Sequence, residues 1–251
     1  MDTRALALAS RFAYSPNARG YCGRSSAQKA FIHCIKNGEC DGVVAELSHF
    51  IVLHPYLLTI AQAVGASPFD YEVIEAYWLG NNLLNKITSA DYELLLNAFE
   101  TQGVAPWLIA QLRTRWPSHF IPTHLFQVLH VGVGQASGSV PFDIHSINEC
   151  AVRWAQVEKI TSTGDVSVRS ARIMQKGGAY ILKEDYEEKL KRDACALTTP
   201  VAGSWVALHW GHIVKILRDE ELANLTLWTK QTLMYVPVFS SPHTQVQSPK
   251  Q

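Results

Sequence analysis

The chain carries no surplus of charge of either sign: Lys and Arg together number 22, and Asp and Glu together number 22. Proteins that grip a phosphate backbone do so with a basic excess, so composition gives nucleic-acid binding no support. Long apolar runs are missing too. The longest, HFIVLHPYLLTIAQAVGA, is broken by His54 and Pro55 and falls short of the ~20 clean residues that cross a bilayer. The opening MDTRALALAS is apolar over too short a run for a secretory signal. Cysteine is scarce: Cys22, Cys34, Cys40, Cys150 and Cys195 make an odd count with no CxxC. That pattern points to reduced thiols in a cytoplasm rather than to a disulfide framework. His33, Cys34 and Cys40 follow no zinc-finger spacing. HExxH, a nucleotide-binding fingerprint, a Gly-Lys-Ser/Thr loop and a Ser-His-Asp order are absent as well, which weighs against an ordinary hydrolase, dehydrogenase or zinc protein.

What is there is the material of a globular protein. Of 251 residues, 47% are apolar and 10% aromatic, enough for one large or two modest cores. The sequence predicts an α+β protein in segments of different character. Residues 1–135 read as an all-α region, with Asp41, Ser67-Pro68 and Thr88 or Ser89 as helix starts and Gly103 as a stop. Within it Val73, Ile74, Tyr77 and Trp78 form one buried stripe. Residues 136–147 read as a linker, continuing from the glycine-rich GVGQASGSVP. Residues 148–236 read as short strands closing into a small OB-like β-barrel, followed by a C-terminal helix; residues 237–251 read as a loose tail. CAVRWAQVEKI, VSVRSARI and AYILKE are the first strands, and the charged DYEEKLKRDA separates them from WVALHWGHIVKIL. In that last stretch Val206, Leu208 and Trp210 share one face and Ala207 and His209 the other. Gly211 is expected to permit a bulge, and His212 to be solvated.

Residues 150 to 235 resemble the small hydrogenase-maturation chaperones of the HypC/HupF family. The features that carry this are Cys150 opening CAVRWAQVEKI, Gly164-Asp165 before VSVRS, GSWVALHWGHIVKIL, and the acidic helix start Asp219-Glu220-Glu221. The family cysteine is amino-terminal whereas Cys150 is internal, and Trp154 stands where the family has proline. The resemblance implies that Cys150 and His209 are close and hold an iron carrying cyanide and carbon monoxide. It further implies two partners, the hydrogenase large-subunit precursor and the iron-assembly scaffold protein. A thiolate is a soft, strongly donating ligand suited to such an iron, and imidazole is a second ligand or a hydrogen-bond donor. The whole chain, through FAYSPNARGYCG, VIEAYWLGNNLL, CAVRWAQV and LHWG, is also similar to a conserved family of unknown function associated with hydrogenase gene neighbourhoods.

Each of these residues also has a plainer role open to it. Cys150 is otherwise a small buried hydrophobe, and His209 a histidine bonded to a backbone carbonyl at the sheet rim. The helical region offers a second set. Cys22 lies between glycines in RGYCG, and Glu75 borders the buried stripe, where a carboxylate needs a partner such as Asn81, Tyr77 or Arg19. With His54 and His124 these residues define a candidate pocket between helices. The alternative function is therefore a metal- or ligand-dependent enzyme seated in the helical domain, supplying a diatomic ligand.

Overall fold

Helix-compatible stripes in the first half of the chain produce the helices expected there. The computed structural model describes residues 2–239, so most of the segment read as a tail lies outside the described residues. The first helix, α1 (Thr3–Ala18), is capped by Asp2, whose side chain accepts from the Arg4 backbone N–H. It buries Ala5, Leu8, Ala9, Phe12 and Ala13. Then follow α2 (Ala27–Asn37), α3 (Val43–Ser48), α4 (Leu53–Val64), α5 (Tyr71–Trp78), α6 (Tyr92–Gln102), α7 (Pro106–Thr114), α8 (His124–Phe126) and α9 (Ile144–Cys150). The Val73, Ile74, Tyr77, Trp78 stripe of α5 is buried as its spacing requires. Among the described residues no helix is long and apolar enough to cross a membrane.

The strands are β1 (Arg153–Ile160), β2 (Val166–Lys176), β3 (Ala179–Leu190), β4 (Trp205–His209) and β5 (His212–Ile216), followed by α10 (Asp219–Tyr235). They form one antiparallel sheet in the order β3-β2-β1-β4-β5. The expected OB-like barrel is corrected: β3 and β5 are edges, and the sheet is open. Two covering layers do what closure would have done. One face, with Trp154, Ala171, Ile173, Ala207 and Val214, joins the same core as the helices. The other, with Ala155, Val157, Val168, Val206, Leu208 and Ile213, packs into a smaller core that includes Ala194. The charged stretch expected to separate strands is instead the second half of β3. As an edge strand it leaves Glu184, Asp185, Glu187 and Lys189 in water, which protects the edge from pairing with another chain.

WVALHWGHIVKIL is a hairpin rather than one strand with a bulge. His209 pairs with His212 across the two-residue turn Trp210-Gly211, with φ of 49° and 72°. Such a turn needs positive φ at both positions. Gly211 adopts it freely, whereas Trp210 carries strain on the order of 1–3 kcal/mol. Trp210 is held there by its backbone N–H donating to Glu149 O at 2.8 Å, and by its ring lying 4.7 Å from that of Tyr21. His212, expected in solvent, is buried, with Nδ1 3.4 Å from an Arg19 guanidinium nitrogen.

Two further features differ from, or sharpen, the sequence reading. Cys34 and Cys40 are joined by a disulfide, against the expectation of five reduced thiols; Gly38, at φ 73°, reverses the chain so that their Cα atoms lie 4.4 Å apart. Cys22, Cys150 and Cys195 are free. Gly80, at φ 80°, ends α5 under the Trp228 indole of α10, and a methyl there would collide with the ring. Gly80→Ala is expected to cost about 3 kcal/mol from backbone strain and displacement of Trp228, lowering Tm by roughly 10 °C in a thermal melt.

Candidate metal centre

A proline sets the first ligand. Pro16 lies inside α1 and has no N–H to offer the Phe12 carbonyl four residues back. That carbonyl accepts instead from Nδ1–H of His209, at 2.8 Å, across 197 positions of sequence. With its proton fixed on Nδ1, His209 presents a lone pair at Nε2, and this atom is buried without a hydrogen-bond partner. His209 is 1% exposed. Burial, with the neighbouring His124, holds it well below the ordinary histidine range, so it is neutral.

The second ligand comes from the end of α9. Asp143 caps this helix through the Ser146 backbone N–H at 2.7 Å. Asn148 docks it on β2, donating to Ile173 O at 2.8 Å and accepting from Ile173 N at 2.9 Å. Arg153 Nε donates to Asn148 O at 2.8 Å, and the hairpin turn holds Glu149 O as described. Cys150, the last residue of α9 rather than the first of a strand, is thereby placed beside His209. Cys150 is 6% exposed. Burial pushes it well above the usual thiol range, while the Trp210 indole N–H works the other way. It is a neutral thiol that a bound cation would deprotonate.

The third is His124, at the start of α8, whose N-cap Thr123 accepts from the Phe126 N–H at 3.2 Å. The next six residues, Gln127–Gly132, form a wider π-helical turn. Its Nε2 lies 2.9 Å from Cys150 O and 3.6 Å from Cys150 Sγ; its Nδ1 lies 2.8 Å from the Tyr77 hydroxyl and 3.2 Å from Gln127 Oε1. Tyr77 and Gln127 are themselves hydrogen-bonded. With the proton on Nε2, His124 donates to the Cys150 carbonyl and accepts from Tyr77. With the proton on Nδ1, it donates to Gln127, and Nε2 is free to ligate. Tyr77 donates to Nδ1 in the first tautomer and to Gln127 Oε1 in the second, so Nδ1 is paired in both. The second tautomer gives up the bond between Nε2 and the Cys150 carbonyl, and a bound cation would take up that Nε2 lone pair. Desolvation lowers the His124 pKa to about 4.

One nitrogen of His124, one of His209 and Cys150 Sγ lie within 4.8 Å of one another, and all three residues are buried. The fit to a metal rests on the donor set: two neutral imidazoles, a thiol and an unpartnered lone pair aimed inward. Were these three side chains to hold a metal, they would leave at least one position for an outside group. They face a cavity of about 400 Å³ walled by Tyr21, Cys22, Phe50, Tyr77, Trp78 and Trp210.

The two sets of candidate residues read from the sequence therefore regroup. Cys150 and His209 from one set, and Cys22, Tyr77 and His124 from the other, all line this cavity. The remaining three stand apart. Glu75 accepts from Asn81 Nδ2 at 3.0 Å and lies 3.7 Å from the Arg218 guanidinium; its pKa is raised, chiefly by desolvation. His54 Nδ1 lies 3.3 Å from Gln102 Oε1, and its ring stacks on Phe69. Sequence reading missed Gln127 and the pairing of Pro16 with Phe12; the one available signal was a proline inside the α1 pattern. Pro16→Ala is expected to restore a competing N–H, loosen His209 and weaken metal binding by roughly 10- to 100-fold while leaving the apo fold intact. A cobalt titration followed by absorbance, beside a urea melt, checks both halves.

By fold and site this is an α+β protein with a buried candidate metal centre where its helices meet its sheet. The chain belongs to a family of unknown function, DUF6390, whose family model matches residues 1–241. Comparison with curated proteins and with solved structures gives no match.

Proposed function

We propose that this protein binds one transition metal through His124, Cys150 and His209 and serves as an accessory protein in assembling a metal centre. The observation that carries the reading is the lone pair of His209 Nε2, buried and unpartnered beside a thiol and a second imidazole. A structural histidine needs only its Phe12 bond; the second nitrogen is accounted for by a ligand. The HypC/HupF-like features of residues 150 to 235 give the finer form of the proposal. The cargo is an iron with cyanide and carbon monoxide, the client is a nickel–iron hydrogenase, and the partners are its large-subunit precursor and the iron-assembly scaffold protein. A cytoplasmic location belongs to the same reading. A thiolate with two imidazoles suits soft or borderline iron, and an open side is what loading and delivery require. Tyr77 and Gln127 would hold the displaced His124 proton while metal is bound.

A second reading has its own observation: the cavity on the open side makes the same centre suitable for an enzyme, with a substrate in the remaining position. One experiment separates them. The protein is purified without oxygen from a host expressing the hydrogenase-maturation machinery, and its metal content and infrared spectrum are measured. Bands of metal-bound carbon monoxide and cyanide, lost in Cys150→Ala and His209→Ala, would establish the carrier. Stoichiometric metal without those bands would favour the enzyme. Absence of bound metal, with none taken up on titration, would sink both.

A further inference from the structure

The cavity has a charge pattern that restricts what completes the site. Among the described residues its lining contains no Asp, Glu or Lys, and its one guanidinium belongs to the exposed Arg24. A divalent metal held by two neutral imidazoles and one thiolate keeps one net positive charge, in surroundings that bury all three ligands. A buried charge with no counter-charge is unfavourable, so the group in the open position should be an anion. Neighbouring side chains do not supply it. The Glu149 carboxylate acts on the Cys150 thiol from outside the cavity, and Arg172, 3.9 Å from it, offsets its charge. Cys22 is in the wall, yet its sulfur is not among the atoms that lie within 4.8 Å of one another. Its backbone is also tied down: Asn17 Nδ2 donates to Cys22 O at 2.8 Å and to Arg24 O at 2.7 Å. Hydroxide would meet the charge requirement and leave most of the about 400 Å³ unused. The walls are aromatic, with Tyr21 and Trp210 rings 4.7 Å apart, and a space of this size and character takes a small organic molecule.

We infer that this cavity binds a small organic monoanion, a carboxylate with an apolar body, whose charged end takes the open position on the metal while its body lies against Tyr21, Phe50, Trp78 and Trp210. The inference rests on the metal reading above and deepens it. It applies to a bare divalent metal in the site, as in the enzyme reading, where the carboxylate is the substrate; an iron already carrying cyanide brings its own anionic ligands.

The test uses the full-length protein loaded with Co(II), titrated with phenylacetate and, separately, with its uncharged isostere phenylacetamide at equal pH and ionic strength. Phenylacetate is expected to change the visible cobalt bands saturably, at least tenfold more tightly than the amide. Arg24→Gln should weaken it several-fold without altering cobalt uptake. Cys22→Ser should leave the thiolate-to-cobalt band unchanged. A loaded protein that shows no response, or binds the amide equally well, overturns the inference while leaving the metal reading standing. A thiolate band diminished by Cys22→Ser would make Cys22 the fourth ligand and also overturn it. No thiolate-to-cobalt band in the unmodified protein would remove the metal reading and this inference with it.

Discussion

Cys150→Ser is expected to lower metal affinity on the order of a thousandfold, equivalent to about 4 kcal/mol. Cys150 supplies the only anionic donor of the three, so its loss removes a bond and leaves a cation facing two neutral imidazoles. Serine is close in size and its hydroxyl stays protonated at neutral pH, so it fills the space without supplying the charge. The measurement is competition for Zn(II) or Co(II) with a chromophoric chelator, beside Cys195→Ser, whose thiol lies in another part of the fold and whose substitution should leave affinity unchanged. Circular dichroism of the metal-free variants should superimpose on the parent. Equal affinity in the Cys150 variant would show that the three side chains meet only to fill space. Conversely, if metal binds as proposed, free metal at a thousand times Kd should add about 4 kcal/mol to stability, and that increment should vanish in the variant.

Acidification of the metal-free protein should cost about 4 kcal/mol between pH 7.5 and pH 5 through two histidines alone. His124 and His130 each fall from an ordinary 6.5 to about 4 on folding. The causes are burial for both, and the Arg115 charge in addition for His130. Both states are neutral above pH 6.5, so nothing is gained or lost there. As pH falls below 6.5 the unfolded chain takes up protons that the native chain refuses until about 4, so stability drops steadily across that window. At pH 5 the loss is about 2 kcal/mol for each. His209 works in the same direction. Glu188 and Glu221, whose pKa values are lowered, lose stabilisation only below their ordinary 4.5, so they leave this window clear. His130 offers the cleanest control because it is outside the group of three candidate ligands, with Nε2 hydrogen-bonded to the Tyr92 hydroxyl at 2.9 Å and its ring stacked on Phe126. In urea melts at several pH values, His130→Gln should remove about one proton from the slope whatever it does to absolute stability. An unchanged slope would mean that His130 is protonated in the native state.

Most of the helices were legible in the sequence because their information is local. The α5 stripe lies within one helix and Gly103 ends α6 as read, whereas Asp41 and Ser67-Pro68, read as helix starts, lie just before the actual caps of α3 and α5, Gly42 and Asp70. The sheet was harder. Barrel closure depends on whether the outermost strands meet, and no short window encodes that. The second half of β3 looked like a connector because an exposed edge favours the same charged residues that loops favour. The hairpin was hidden because Trp210 occupies a positive-φ position where Asn or Gly is the usual signal. At the site, residue chemistry drew attention to Cys150, His209, Cys22, Tyr77 and His124. Their arrangement around one cavity instead of two was not readable, because it depends on helices packing against the inner face of the sheet. Glu75 met the rule that buried carboxylates need partners and found them in Asn81 and Arg218, away from the cavity.

The bond between the Phe12 carbonyl and His209 also orders events in time. Pro16 precedes Tyr77, His124, Cys150 and His209 in chain order, and it leaves the Phe12 oxygen without an intrahelical partner from the moment α1 forms. The imidazole that satisfies it is translated 197 residues later, after Tyr77, His124 and Cys150 have all emerged. A nascent chain therefore cannot assemble the group of three candidate donors until β4 has been made. If the three side chains hold a metal as proposed, a product truncated before β4 would lack one of its donors.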